Sequence, residues 1–272
     1  MAVEGIDIAE FSENINWEKV KSQGIRFAFA RVNDGTIHTD TLFSTYWPAM
    51  KKAGIIRGAY FFFRPTQDID AQVKIFAQNL EIESGDLPPV VDIETAKSWH
   101  DLSLSQRLDR VAEVLKAVEL ATGYKPIIYT GPSFWRDTMG NTKRFADYDL
   151  WIAHYETNNP SIPGGWEIHT FHQYIGDQTG FPGIPGDVDR NRFNGTLDRL
   201  QAETVKEVPV IEGRMGPKVK RLQQNLKKLG FDPGVPDGIF GPGTKKAVTA
   251  YQQANKIAVT ATVPPGDKLL VA

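Results

Sequence analysis

The sequence predicts an α/β fold followed by a small helical domain, and three observations carry that prediction. From Val3 to about residue 200, short β-rich runs alternate with longer helical periods, the pattern of a parallel sheet with crossover helices. Acidic residues stand at or beside β-rich runs at the start, middle and end of this stretch, as Asp7, Asp92 with Glu94, and Asp189. Beyond Gln201 the composition changes, and apolar residues recur only at helical spacing.

Taken in order, the strands are expected at Val3–Ile8, Phe27–Val32, Ile55–Phe63, Pro89–Glu94, Pro126–Tyr129, Leu150–Ala153 and Ile168–Tyr174. The clearest intervening helices are Thr41–Ala53, Ile69–Leu80 and Leu104–Ala121, and good helical patterns become scarcer after these. In the third, Leu104, Leu108, Val111, Leu115 and Val118 form one stripe, Ser103 and Gln106 make a capping-box pair, and Gly123 ends the helix. Periodicity alone is compatible with a closed barrel and with an open doubly wound sheet.

Residues 1–200 thus read as one domain and 201–212 as a mixed, unpatterned linker, which leaves 213–272 as the second domain. There Val219, Leu222, Leu226 and Leu229 share a helical face, Gly230 stops the helix, and Pro236-Asp237-Gly238 makes a turn. A second helix follows, with Thr244 placed to cap it and Ala247, Val248, Tyr251 and Ala254 on its buried side. Residues 201–272 carry 11 basic against 6 acidic side chains, a net of +5, which leaves −7 for residues 1–200. A basic unit joined to an acidic one suits an anionic surface, although a pair such as Lys227-Lys228 is also what a solvated helix face looks like.

The chain has 272 residues, 41% of them hydrophobic and 24% charged, which excludes global disorder. A net charge of −2 gives no sequence-wide attraction to nucleic acid. With no cysteine there is no thiol nucleophile, disulfide or thiolate metal site. No run approaches the ~18 apolar residues of a membrane helix, so membrane insertion is not expected. The N-terminus passes directly into a strand with no basic-then-apolar leader, and no signal peptide is read there.

The most informative stretch is Pro88-Pro89-Val90-Val91-Asp92-Ile93-Glu94, an apolar strand ending in two carboxylates. Alternation puts Asp92 and Glu94 on one side, about 6.6 Å apart at ~3.3 Å per residue, so each disfavours ionisation of the other. One of them can then keep its proton near neutral pH, as a general acid for a glycosidic oxygen must. A lone pair of acids at a strand end is weak evidence, but Gly5-Ile6-Asp7 and Val188-Asp189-Arg190-Asn191 place further acids at or beside strands at the two ends of the domain. In a closed parallel barrel these meet, because first and last strands are neighbours and all strand ends open on one face. Tyr60, Phe62, Tyr129, Trp151 and Tyr155, in or just after strands, offer flat faces for sugar rings, as Tyr174 also could; strands favour aromatics in any case, so about half should be ordinary core.

The ordered series Gly5-Ile6-Asp7, Asn16-Trp17, Phe27 to Arg31, Gly58-Ala59-Tyr60, Val91-Asp92-Ile93-Glu94, Leu150-Trp151-Ile152-Ala153 with Tyr155, Gln173-Tyr174 and Val188-Asp189-Arg190-Asn191 resembles glycoside hydrolase family 25. Its members are peptidoglycan N-acetylmuramidases, or lysozymes, on an irregular TIM-like β/α barrel. The resemblance implies Glu94 as catalytic acid, Asp7, Asp92 and Asp189 as the other carboxylates of the cleft, and Gln173 among the substrate-binding groups. Two departures, His172 in place of a Trp and Phe61 in place of a His, concern subsite contacts and leave the carboxylates alone. The stretch from Gly213 to Ile257 resembles the type 1 peptidoglycan-binding domain, a three-helix unit. Beyond it, Val263-Pro264-Pro265-Gly266 replaces the usual second Asp-Gly turn and final helix.

The resemblance implies a two-domain lysozyme cutting the β-1,4 bond between N-acetylmuramic acid and N-acetylglucosamine, with peptidoglycan as partner, no cofactor or metal, and a monomeric state. Because Asp92 shares a face with Glu94, attack by the substrate's own acetamide is favoured over attack by Asp92, while an inverting route with Asp7 or Asp189 as base stays open. A chitinase-like enzyme is disfavoured because Pro88, Pro89 and Val91 stand where its spaced acids belong. A zinc amidase is disfavoured because His169 and His172, three apart on a strand, face opposite sides. A non-catalytic wall-binding protein is the reading from another class. Lysozyme activity without a leader resembles a phage endolysin, held in the host cytoplasm until a holin-type hole releases it to the wall.

Overall fold

A computed structural model describes residues 2–10, 14–94 and 97–271. The first domain runs β1 (Val3–Ile8), α1 (Trp17–Ser22), β2 (Ile25–Asp34), β3 (His38–Thr39), α2 (Phe43–Lys52), β4 (Ile56–Phe62), α3 (Ile69–Asn79), β5 (Val90–Asp92), α4 (Leu104–Thr122), β6 (Ile127–Thr130), α5 (Pro132–Asp137), β7 (Leu150–Ala153), β8 (Phe171–Gln178), β9 (Val188–Phe193) and α6 (Leu197–Ala202). Strands pair in the ring β1-β2-β4-β5-β6-β7-β8-β9 and back to β1, so the sheet closes into an eight-stranded barrel, with β3 added beside β2.

Neighbours from β1 round to β8 are parallel, whereas β9 is antiparallel to both β8 and β1. The all-parallel expectation therefore fails at the last strand. Helical patterns thin out late in the domain because the antiparallel β8–β9 pair needs no crossover helix and the parallel β7–β8 crossover, residues 154–170, is made without one. The strand expected over Pro89–Glu94 shortens to Val90–Asp92. Pro89 has no N–H to give to a ladder, and the chain leaves the sheet after Asp92. The capping box of α4 forms, Ser103 N–H donating to Gln106 and Gln106 N–H to Ser103 Oγ, and Gly123 closes the helix at φ 95°.

Strand alternation sorts the barrel into two cores. Outward residues such as Ile6, Ala28, Ala30, Phe61, Val91, Ile128 and Ile152 pack under the helices. Inward residues fill the barrel: Val3, Phe27, Phe29, Phe171 and Phe193 at the lower end, closed from below by Leu200 of α6. Phe171 touches Phe27, Phe29 and Phe193 at centroid distances of 5.1, 5.2 and 5.3 Å. Two glycines make room for this packing, since a Cβ on Gly5 or Gly58 would lie 2.3 Å from the ring of Phe27 or Phe29.

The second domain contains α7 (Pro217–Lys228), α8 (Pro242–Ala254) and the 3-10 turn Lys268–Leu270 around a core of its own. In place of a third α-helix, Val263 pairs with Val210, and Leu269 and Leu270 tuck beneath α7, where Asn225 donates to the Leu269 and Val271 carbonyls. Thr244 does not cap α8, which begins at Pro242 after Gly241; its buried hydroxyl accepts from Gln223 instead. The stretch read as a linker is pinned at both ends, Val205 to Asp86 and Gly85 of the barrel and Val210 to Val263. The domain docks on the C-terminal ends of α3 and α4. Arg221 pairs with Glu81, Met215 N–H donates to the Ala121 carbonyl, and Arg214 donates to the carbonyls of Glu119 and Leu120.

Candidate active site

The upper end of the barrel interior is polar where the lower end is aromatic. Asp7 is the last inward residue of β1, one inward position above Gly5, and Tyr60 stands in the same relation to Gly58 on β4. Asp92 ends β5 in register with Tyr129 and Phe62. Asp189 lies near the start of β9, opposite Asp7 in the ladder. Because β9 runs backwards, it is its beginning that opens on this face, and the expected convergence of acids holds although the strand direction does not.

Asp7 and Asp92 are buried, and Glu94, just beyond the strand, is half-buried. Burial first, then the charge of Glu94 and that of Asp7, push the Asp92 carboxyl well above the ordinary carboxylate range. Asp7 is raised in the same way by burial and by Asp189. Glu94 is raised by burial and by Asp189, with Arg64 opposing. A buried carboxyl in a negative neighbourhood holds its proton, and that cause is common to all three. Among the described residues Asp92 Oδ1 has no hydrogen-bond partner.

The hydrogen bonds are supplied by two amides. Trp151 Nε1–H donates to Asn191 Oδ1 at 2.8 Å, and since an indole can only donate, the Asn191 NH2 is turned toward Asp7 Oδ2, 2.6 Å away. The hydroxyls of Tyr129 and Tyr155 donate to Gln173 Oε1 at 2.8 and 2.9 Å, and the Gln173 NH2 reaches Asp7 Oδ2 at 2.8 Å and Asp189 Oδ2 at 3.2 Å. Asp189 Oδ1 accepts from the Asp177 N–H at 2.7 Å.

This placement revises several substrate-binding assignments. Trp151 is 1% exposed, stacked on Phe29 at 4.4 Å, and Gln173 is 2% exposed; neither presents a face to a sugar. Tyr129, 7% exposed, has its hydroxyl engaged by Gln173. These three sit beneath the carboxylates and support them, because inward positions on a narrow barrel are filled by their neighbours. Tyr60 and Phe62 are partly exposed at the rim, with the Arg64 guanidinium over the Phe62 ring, and Tyr155 stands 49% exposed. Phe61 and His172 face outward, Phe61 against Phe76 and His172 toward the His154 carbonyl, so the two family departures lie away from the cleft. Asn191 was not singled out as a site residue; the alternation that pairs Asp92 with Glu94 also puts Asn191 on the Asp189 face. Arg64 carried no such signal.

The described residues place Glu10, His38 and Asp40 close enough to share a metal ion. Arg31 already engages both oxygens of Asp40, and a guanidinium there occupies the charge a cation would need.

Residues 6–184 match the family model "Glycosyl hydrolases family 25", and 215–263 match the one described as "Putative peptidoglycan binding domain". Lysozyme M1 of Streptomyces globisporus is 38% identical over 209 residues, 74% of this chain and 70% of that protein. The crystal structure of a bacterial lysozyme from Streptomyces coelicolor superposes with a TM-score of 0.70 at 36% identity, covering 75% of this chain and 97% of that one. A family GH25 lysozyme from Aspergillus fumigatus gives 0.67 at 30%, over 75% and 99%. With a closed barrel, four acids at its upper end and a match over most of the first domain, the chain belongs to glycosyl hydrolase family 25.

Proposed function

We propose that this glycoside hydrolase is a muramidase that cuts the β-1,4 bond between N-acetylmuramic acid and N-acetylglucosamine in peptidoglycan, with Glu94 as general acid and base. The observation that carries the assignment is the environment of Glu94: a half-buried carboxyl at the cleft, its proton affinity raised by burial and by Asp189. Such a group protonates the leaving oxygen and, once ionised, activates water.

Asp92 is too deeply buried, and too nearly on the side of Glu94, to attack the sugar from the opposite face. Its Oδ1, without a hydrogen-bond partner among the described residues, suits an acetamide N–H, orienting the substrate's own carbonyl oxygen as nucleophile. The expected outcome is retention at the anomeric carbon, read by proton NMR of the first-formed sugar; net inversion would eliminate acetamide participation. Mass spectrometry of digested walls should show new reducing ends on muramic acid, and ends on glucosamine would displace the bond assignment.

The second domain supports the same substrate by holding the enzyme on the wall and raising its local concentration. Removing residues 213–272 is expected to weaken wall binding more than it slows cleavage of soluble glycan fragments, as pelleting and fragment-release assays would show.

A further inference from the structure

Gln173 has an unusual position for an amide in a glycosidase cleft: it is buried, yet every polar atom of its side chain is engaged by a group of the site. Its carbonyl oxygen receives two hydroxyls, Tyr129 from β6 and Tyr155 after β7. Both hydroxyls keep their protons at any working pH, since burial raises Tyr129 well above its usual value and pushes Tyr155 up to about 12. With the oxygen fixed, the NH2 can only point the other way, at Asp7 Oδ2 and Asp189 Oδ2.

We propose that Gln173 is a positioning residue: its amide, oriented by Tyr129 and Tyr155, bridges Asp7 and Asp189 and fixes them as a carboxyl pair sharing one hydrogen, with the ionised member, Asp189, directed toward Glu94. Asp7 Oδ2 already accepts two N–H donors, from Gln173 and Asn191, so a proton on Asp7 sits on Oδ1. The two carboxyls face each other across the β1–β9 ladder, and burial raises both, Asp7 well above the ordinary carboxylate range and Asp189 less, which assigns the one hydrogen to Asp7. Burial raises Asp189 too, but the Asp177 N–H and the Gln173 NH2 favour its ionised form, and its charge helps keep the proton on Glu94.

The other ionisable groups that bear on the pair are Asp92 on β5, Tyr60 on β4, and Asp177 and Asp187 flanking Asp189, while Arg64 acts on Glu94 from the side of β4. None of these can take the place of the bridging NH2, because the carboxylates and tyrosines offer no N–H and Arg64 is committed to Asp34.

This inference rests on Glu94 being the general acid, and the test separates the two. The pH dependence of kcat/KM on soluble glycan fragments is measured for the wild type, Gln173→Leu, Tyr155→Phe and Glu94→Gln. Without the bridging amide the pair takes up a second proton more readily, the negative charge beside Glu94 falls, and Glu94 loses its proton at lower pH. Gln173→Leu should therefore shift the alkaline limb to lower pH by at least half a unit and reduce kcat about 10-fold or more, with KM within about two-fold. Tyr155→Phe removes one of the two hydroxyls on the amide and should shift the same limb in the same direction by less; it keeps the test decisive if Gln173→Leu fails to fold. A raised KM with an unmoved limb would make Gln173 a sugar contact and overturn the proposal. Loss of activity in step with thermal stability, again with the limb unmoved, would overturn it in favour of a structural role. An active Glu94→Gln would overturn the general-acid assignment and the inference that rests on it, whereas an inactive one with an unmoved limb in the other variants defeats the Gln173 proposal alone.

Discussion

The two ends of the barrel interior are built from the same strands and do opposite things. At the lower end Val3, Phe27, Phe29, Phe171 and Phe193 bury aromatic surface against one another above Leu200. At the upper end, one or two inward positions further along, Asp7, Asp92, Gln173 and Asn191 place polar and ionisable groups out of water, with Asp189 half-buried beside them. Burying apolar area stabilises the fold, and burying carboxyls costs stability unless they stay protonated or hydrogen-bonded. The lower end thus supplies the stability that the upper end consumes, which is the usual division between a scaffold and the strained site it carries.

That contrast can be broken in a definite order. Glu94→Gln should lower wall clearing roughly 10²–10⁴-fold, the range for losing a general acid, with the melting temperature unchanged. Near-normal clearing would end the assignment. Phe171→Ala should do the reverse: truncating an aromatic with three ring neighbours costs about 3–5 kcal/mol, seen as a melting point roughly 10 °C lower, while any protein still folded retains activity per molecule.

Asp92→Asn is the subtler case. The folded-state pKa of Asp92 lies above its unfolded value, so between the two the folded chain binds the extra proton and stability falls as pH rises through that window. Asparagine cannot ionise, so this variant should be inactive yet melt at a higher temperature than the wild type at pH 7, a gain that disappears as pH falls to the unfolded value of about 3.9. A melting point lowered at pH 7 would show that the carboxylate is satisfied and that the upper end costs nothing. The smallest effect is expected outside the barrel interior, where Arg221→Ala removes a part-exposed pair with Glu81 and should cost about 1 kcal/mol or less by thermal melting.

Much of this was legible beforehand, for reasons that differ by region. The parallel arc announces itself in β2, β4 and β5, whose connections carry the helical patterns of α2, α3 and α4, and Leu104 to Val118 shows the stripe at its clearest. The β8–β9 hairpin has no such stripe, so the direction of β9 stayed hidden while its acid, Asp189, did not. Alternation was enough to put Asp92 and Glu94 together. It could not say that Trp151, Tyr129 and Gln173 lie under the acids rather than beside the substrate, because inward and accessible are the same thing to a strand pattern. That distinction depends on how narrow the barrel is and which neighbour fills it. In the second domain the two helices were readable from their apolar faces, whereas the substitution of Val263, Leu269 and Leu270 for a third helix rests on long-range contacts with no period at all.

The docking of the second domain on the ends of α3 and α4 furthest from the cleft sets a distance as well as an attachment. At about 3.3 Å per residue a six-residue strand such as β1 spans roughly 20 Å, so the docking contacts and the carboxylates lie at opposite ends of the barrel. With the intervening residues bonded to Asp86 and Gly85 on one side and to Val263 on the other, the two bodies are braced against each other rather than strung on a free tether.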